Sequence, residues 1–310
     1  MSPARGRRGR LEADDVAEAH LLENAFCNLC RACRACEPRY AIGQHKVLVC
    51  THCGLVFTVQ DGFSQDSAAR LYSKDYFESG VVDGYADYAA SEDTLRHQAR
   101  RILRRLRRFR SSGTLLELGC AYGFFLLEAR EFFDVRGVEL SAFAAQQARS
   151  RGLDVQASRF EDVQLSDGFD AVCLFDCVEH LLDPFGYLRK IHSLLAPDGV
   201  LALTTGDIGS LYARASGARW RLMTPPQHRF FFSKTTMREM LTRTGFEIVE
   251  VSYPWKLVPL RLMLYQLSPR LKTALGPLGR SRFGLYVNLF DAMFVIAKKA
   301  DTPNLPERRA

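Results

Sequence analysis

The stretch Leu115–Leu126, LLELGCAYGFFL, decides the fold. Strand-forming residues lead to an acid, Glu117, and then to Gly119 and Gly123, four apart, before a second apolar run. Glycines just after a strand let the backbone approach a ligand closely. A dinucleotide fingerprint needs Gly-x-Gly-x-x-Gly at this point, and the spacing here is Gly119-x-x-x-Gly123, so the tight pyrophosphate turn is missing. Glu139 ends the next strand-like run, 20 residues after Gly119, where an acid accepts hydrogen bonds from ribose hydroxyls. Ribose recognition without a diphosphate cradle points to an adenosine ligand that carries something other than phosphates.

Outward from the elbow, strand-like runs recur as TLLELG, DVRGVEL, LDVQAS, FDAVCLF, GVLALTT, FEIVEVS and AMFVIAKK, with helical patterns between the first five. This alternation predicts an α/β fold with a mostly parallel, Rossmann-like seven-stranded sheet and helices on both faces. Ligands of such sheets sit at the carboxyl ends of the strands, near the switch in strand order. Upstream, SEDTLRHQARRILRRLRRFR places Leu95, Ala99, Ile102, Leu106 and Phe109 on one helical face and arginines elsewhere. A nucleic-acid role for these arginines is not favoured, because no aromatic interleaving or RNA motif accompanies them.

Nine cysteines occur in the 310 residues, six of them between Cys27 and Cys53. The pairs Cys27-Asn-Leu-Cys30 and Cys50-Thr-His-Cys53 are 19 residues apart, the spacing of a zinc ribbon. Each Cys-x-x-Cys turn brings two thiolates to one tetrahedral ion, and a closed four-cysteine site is structural because it keeps no open position. Pairing Cys33 and Cys36 with Cys50 and Cys53 leaves 13 residues between the pairs, so Cys27, Cys30, Cys50 and Cys53 are the favoured zinc ligands. The first pair lacks the glycine that Gly54 supplies after the second.

The net charge of +7 is concentrated in Arg5, Arg7, Arg8 and Arg10 and in the block from Arg100 to Arg110. The N-terminal tail lacks the apolar core of a signal peptide. No apolar run reaches the roughly 18–20 residues of a membrane span; the nearest, Trp255–Leu275, is broken by Lys256, Arg261, Arg270 and Lys272. A soluble, cytoplasmic protein is expected. We divide the chain into a disordered basic tail (1–22), a zinc-ribbon-like module (23–62), a helical linker or cap (63–110), the main domain (111–300, with a helical insertion at 254–291) and a disordered tail (301–310).

LLELGCAYGFFL followed by VRGVELS resembles the first motif, and its successor, of the class I S-adenosylmethionine-dependent methyltransferases. The likeness runs from about Tyr72 to Lys299, with FDCVEHLLDP, LLAPDGVLALTT and PPQHRFFFSKTTMREMLTRTGFEIVEV in family order. A zinc ribbon before such a domain also occurs in relatives that methylate sugars and other small metabolites. The resemblance implies S-adenosylmethionine as cofactor, with Glu117, Gly119 and Gly123 at its methionine end and Cys120, Ala121, Leu140 and Phe175 around it. It implies that Glu139 holds the ribose diol and that Phe160 and Glu161 touch adenine. Arg159 stands where many relatives have an acid.

Methyl transfer to a hydroxyl benefits from a general base, and histidine suits best near neutral pH. His180 follows the fourth strand-like run and His228 lies in the segment after the fifth, which commonly walls the acceptor pocket. Asp176, Glu179 and His180 also resemble the acid-x-x-Glu-His pattern of ubiquinone-pathway O-methyltransferases, where such residues bind a divalent cation. Trp220, Tyr265 and Phe283 are expected pocket-wall residues. The acceptor is expected to be a small hydroxylated or sugar-type metabolite. The alternatives are a quinone or lipid acceptor, with the insertion resting on a membrane surface, and a zinc-ribbon binding module whose cofactor domain is not catalytic. The sequence leaves the oligomeric state open.

Overall fold

The computed structural model describes residues 25–59, 76–77, 88–166, 168–225, 227–259 and 284–300. Five strands open the described chain: β1 (Ala25–Cys27), β2 (Ala32–Arg34), β3 (Cys36–Ile42), β4 (His45–Cys50) and β5 (Val56–Thr58). Helix α1 (Glu92–Leu106) follows, and then β6 (Gly113–Leu118), α2 (Phe124–Ala129), β7 (Phe133–Glu139), α3 (Ala142–Arg149), β8 (Asp154–Ala157) and β9 (Phe169–Phe175). The chain continues with α4 (Pro184–Leu194), β10 (Leu195–Gly206), α5 (Leu211–Ser216), β11 (Phe230–Phe231), α6 (Lys234–Arg243), β12 (Phe246–Ser252), β13 (Lys256–Pro259), β14 (Gly284–Val287) and β15 (Ala292–Lys299).

The main sheet has seven strands in the order β12-β15-β10-β9-β6-β7-β8, the seven runs expected from the sequence. β6, β7, β8, β9 and β10 pair in parallel, and β15 lies antiparallel between β10 and β12. The order reverses between β6 and β9, which places the switch point where the glycine elbow leaves β6. Side chains alternate across the sheet. Leu116, Leu118, Val172 and Leu174 face α4 and α6, whose Leu188, Ile191, Met237 and Leu241 join the same core. Leu115, Ala171 and Cys173 face the other way, against Leu103 and Leu106 of α1, Leu126 of α2 and Ala144 and Ala148 of α3.

The cysteine-rich segment is not a separate lobe. Its sheet runs β11-β5-β4-β3, with β11 supplied by the main domain: Phe231 pairs with Val56 and Phe230 with Phe57. Cys27, Leu29, Leu48, Leu55 and Phe57 share one core with α4 and α6. The boundary expected at residue 62 lies outside the described residues.

The insertion at 254–291, expected to be helical, begins and ends as the antiparallel pair β13–β14. Alternating apolar residues and Pro259 favour extended backbone at those ends over helix. Its middle, with Tyr265 and Phe283, lies outside the described residues, as do both tails and most of 63–87. Trp220 is not a pocket wall. It is 3 % exposed, donates Nε1–H to Asp291 Oδ2 (2.9 Å), and packs with Val47, Val56, Met223 and Phe231 where the ribbon meets the main domain. Among the described residues, no helix is long and apolar enough to cross a membrane.

Candidate active site

The elbow carries three left-handed residues in five: Gly119 (φ 71°), Ala121 (φ 47°) and Gly123 (φ 77°). Gly123 is required by space as well as backbone, since a Cβ there would lie 2.2 Å from Leu153 Cδ1. Gly119 is exposed, and a Cβ on it would come within 3.1 Å of Cys177 Sγ. Ala121 has no such freedom, and its left-handed backbone persists because its amide donates to Glu139 Oε2 (2.8 Å). Ser141 N–H donates to the other oxygen of the same carboxylate (2.8 Å). Glu139, at the end of β7, is thus held by two amides, yet burial still raises its pKa.

Glu117 sits one strand away, 5 % exposed. Burial, with a further contribution from the charge of Glu139, pushes its pKa well above the ordinary carboxylate value. Its Oε2 is buried without a hydrogen-bond partner. The two acids therefore flank the elbow, one carboxylate with a backbone amide on each oxygen and lone pairs to spare, the other with an oxygen short of a donor.

Other expected cofactor residues are more unequal. Cys120 is buried against Gly137, and desolvation drives its thiol far from the reactive range. Leu140 and Phe175 are half-buried, Phe175 standing edge-on to Phe125 at 4.7 Å. Phe160 is buried in the core beside Tyr187 (5.3 Å), whereas Glu161 is exposed. Lys190 of α4 clamps this turn, its Nζ donating to the carbonyls of Phe160 (2.5 Å), Glu161 (3.1 Å) and Val163 (3.1 Å).

Tyr76 also reaches the site: burial and the charges of Asp176, Glu139 and Glu179 raise its hydroxyl pKa. Its neighbour Phe77 stacks on Tyr122 of the elbow (5.3 Å) and meets Tyr88 edge-on (5.6 Å). Neither Tyr76 nor Lys190 carries a sequence motif; both arrive through long-range packing.

After β9 the chain makes a short 3-10 turn, Val178–His180. His180 Nδ1 lies 2.9 Å from the carbonyl of Gln227, and His228 Nδ1 lies 2.7 Å from that of Leu222. A carbonyl only accepts, so each Nδ1 carries the proton and each Nε2 is the unprotonated nitrogen. The two rings meet edge to face at 4.7 Å. Burial lowers the pKa of both, that of His228 to about 3 with His180 as the second cause.

Ligand atoms of Glu179, His180 and His228 all lie within 4.8 Å of one another. Asp176, expected to share a cation with Glu179 and His180, is outside that group. It accepts from Thr204 Oγ1 (2.9 Å) while its own amide donates to the same oxygen (2.8 Å). His228 takes the place in the cluster that the sequence pattern gives to Asp176.

The sulfurs of Cys27, Cys30, Cys50 and Cys53 gather within 4.8 Å of one another. Cys27 and Cys53 are 3.5 Å apart and Cys30 and Cys50 3.9 Å. A tetrahedron with Zn–S of about 2.3 Å sets sulfurs about 3.8 Å apart, so the quartet fits zinc. The hydrogen bond from Cys53 lowers the thiol of Cys27 to about 5 and raises its own, as a shared proton requires. Cys33 is exposed, and Cys36 donates to the carbonyl of Arg34 instead of joining the quartet.

A family model described as a methyltransferase domain matches residues 91–251, more than half of the chain. A ubiquinone biosynthesis O-methyltransferase of Ruegeria pomeroyi is 25 % identical over 166 residues, covering 46 % of this chain and 66 % of its own length. Its counterpart in Haemophilus ducreyi is 32 % identical over 105 residues, 29 % of this chain and 44 % of that one. The chain thus spans less than two thirds of either relative. In the complex between the Haloferax volcanii Trm112 methyltransferase activator and a methyltransferase, one chain superposes with a TM-score of 0.52 at 18 % identity, over 69 % of this chain and 93 % of that one. That likeness concerns the fold alone.

Proposed function

The chain belongs to the methyltransferase domain family, and from that premise we propose that it transfers a methyl group from S-adenosylmethionine to a hydroxyl of a small acceptor. The observation that carries the proposal is the pair of buried acids flanking the glycine elbow, one of which, Glu117, keeps an oxygen without a donor. A cationic amino group at the methionine end of the cofactor supplies that donor and offsets the charge that burial disfavours. Glu139 accepts from ribose hydroxyls, and the exposed backbone at Gly119 lets the cofactor lie against β6, lined by Cys120, Ala121, Leu140 and Phe175. The turn at Phe160 and Glu161, fixed by Lys190, borders adenine.

When bound, S-adenosylmethionine supplies an already activated sulfonium methyl. The task left to the chain is alignment of acceptor oxygen, methyl and sulfur, together with removal of the hydroxyl proton. The unprotonated Nε2 of His180 or of His228 takes that proton as the oxygen–carbon bond forms and the carbon–sulfur bond breaks. Both imidazoles are neutral at working pH, so neither has to lose a proton first. The same cluster with Glu179 would hold a divalent cation that lowers the hydroxyl pKa; a Mn²⁺ titration of zinc-loaded protein separates the two uses. Zinc in the cysteine quartet is structural in either case, and the nine cysteines, none of them in a disulfide, suit a reducing, cytoplasmic setting.

A quinol-type acceptor taken from a membrane surface is the second reading. It is favoured by the names of the relatives and by the exposed Trp255, Leu285 and Phe290, which lie in the same region of the chain as Tyr286. Tyr286 lines a cavity of about 430 Å³ with Arg101, Arg104, Arg105 and Arg108. Methyl-labelled cofactor offered with catechol, quinol and sugar acceptors tests both readings. Label on one acceptor class, lost in His228→Asn, supports transfer and selects the class. Cofactor binding with no label on any acceptor replaces the enzyme with a binding module.

A further inference from the structure

We propose that the cysteine ribbon is a positioning module for the acceptor wall: Arg31, Asn28 and Thr58 fix where Glu179, His180 and His228 stand. The role assigned to that wall rests on the methyltransferase reading, whereas the mechanical coupling does not.

The first tether leaves the Cys27–Cys30 knuckle. Its amide hydrogen bond, Arg31 N to Cys27 O at 2.9 Å, repeats that of Gly54 N to Cys50 O in the second knuckle. The second knuckle uses glycine at φ 76°, as that conformation favours; the first uses Arg31 at φ 57°. An arginine is strained there, and its side chain shows what holds it. The guanidinium donates to Asp183 Oδ1 (2.6 Å) and lies over the rings of Phe26 and Phe185. Asn28, 4 % exposed, donates to the same Oδ1 (2.8 Å) and accepts from Phe185 N–H (3.0 Å). Asp183 caps α4 through Gly186 N–H (3.0 Å) and stands three residues after His180. Two knuckle side chains therefore anchor the loop that carries His180.

The second tether leaves β5. Thr58 N–H donates to the carbonyl of Arg229 (2.8 Å) and Thr58 Oγ1 to that of His228 (3.2 Å), next to the β5–β11 ladder. Arg229 N–H in turn donates to the carbonyl of Glu179 (2.9 Å), and His180 Nδ1 donates to Gln227 O. The two histidine-bearing segments are thus bonded to each other and to two separate points of one ribbon, its first knuckle and β5. Glu117 and Glu139, on β6 and β7, have no hydrogen bond to the ribbon among those described.

The test compares zinc-loaded wild type with Arg31→Gly, Thr58→Val and Thr58→Ser. Arg31→Gly relieves the left-handed backbone yet removes the tether, so metal content stays at the wild-type level. Histidines labelled at ¹³Cε1 report the wall by NMR whether or not turnover is found. The expected result is shifted or broadened His180 and His228 resonances in Arg31→Gly and Thr58→Val, with Thr58→Ser restoring the wild-type positions. Cofactor affinity should stay within about twofold, while kcat for the acceptor falls about tenfold or more. Unchanged histidine resonances in both tether variants, with zinc bound, would overturn the coupling. Shifted resonances without turnover in the wild type would leave the coupling standing and sink the methyltransferase reading instead.

Discussion

His180 and His228 meet edge to face at 4.7 Å, each with Nδ1 tied to a backbone carbonyl and Nε2 unprotonated. Both pKa values are depressed, mainly by burial, that of His228 to about 3. The base is therefore already deprotonated across the neutral range, and the acid limb of kcat against pH should fall below the ordinary histidine value of 6.5. A histidine with a depressed folded pKa contributes stability that is present above 6.5 and is lost as pH falls toward the folded value. Replacing the catalytic member of the pair by Asn should cost about 10²- to 10⁴-fold in kcat. A pH–rate profile with its acid limb at or above 6.5 would contradict the assignment.

Glu117 predicts a trade between stability and binding. Its folded pKa is raised, so its contribution to stability is fully present below 4.5 and is lost as pH rises through the folded value. Glu117→Gln removes that loss because the amide carries no charge for burial to disfavour, and the cofactor-free variant should be more stable than the wild type at pH 8. The same variant should bind S-adenosylmethionine more weakly. Denaturant midpoints with and without cofactor read both effects.

Metal content separates the six clustered cysteines. Cys27→Ser, Cys30→Ser, Cys50→Ser and Cys53→Ser should each lose zinc, whereas Cys33→Ser and Cys36→Ser should retain it, because their sulfurs stand outside the quartet. Elemental analysis after gel filtration gives the count. Zinc loss in Cys36→Ser alone would favour the shorter pairing.

Gly123→Ala combines a steric clash with an unfavourable φ of 77°. Overpacking of this kind costs about 1–3 kcal/mol, and Leu153→Ala in the same chain should recover the steric part only. Thermal unfolding of the single and double variants would show it.

Much of this was legible because it is local or periodic. The seven strand runs, the elbow at Gly119 and the quartet at Cys27, Cys30, Cys50 and Cys53 each sit in a short pattern whose spacing has one cheap solution. What escaped depends on residues far apart in sequence. Arg31 meets Asp183 across 152 positions and Thr58 meets His228 across 170, and no spacing rule reaches that far. β11 is two residues long and exists only because β5 offers an open edge. His228, already singled out, joined Glu179 and His180 through tertiary closure, while Asp176, nearer in sequence, turned to Thr204.

The most direct test of the central claim is calorimetric titration of S-adenosylmethionine into zinc-loaded protein, wild type against Glu139→Ala. Micromolar binding to the wild type, weakened at least about tenfold (about 1.4 kcal/mol) in the variant, is the predicted result. No binding to a folded wild type, or equal affinity in both proteins, would contradict the account.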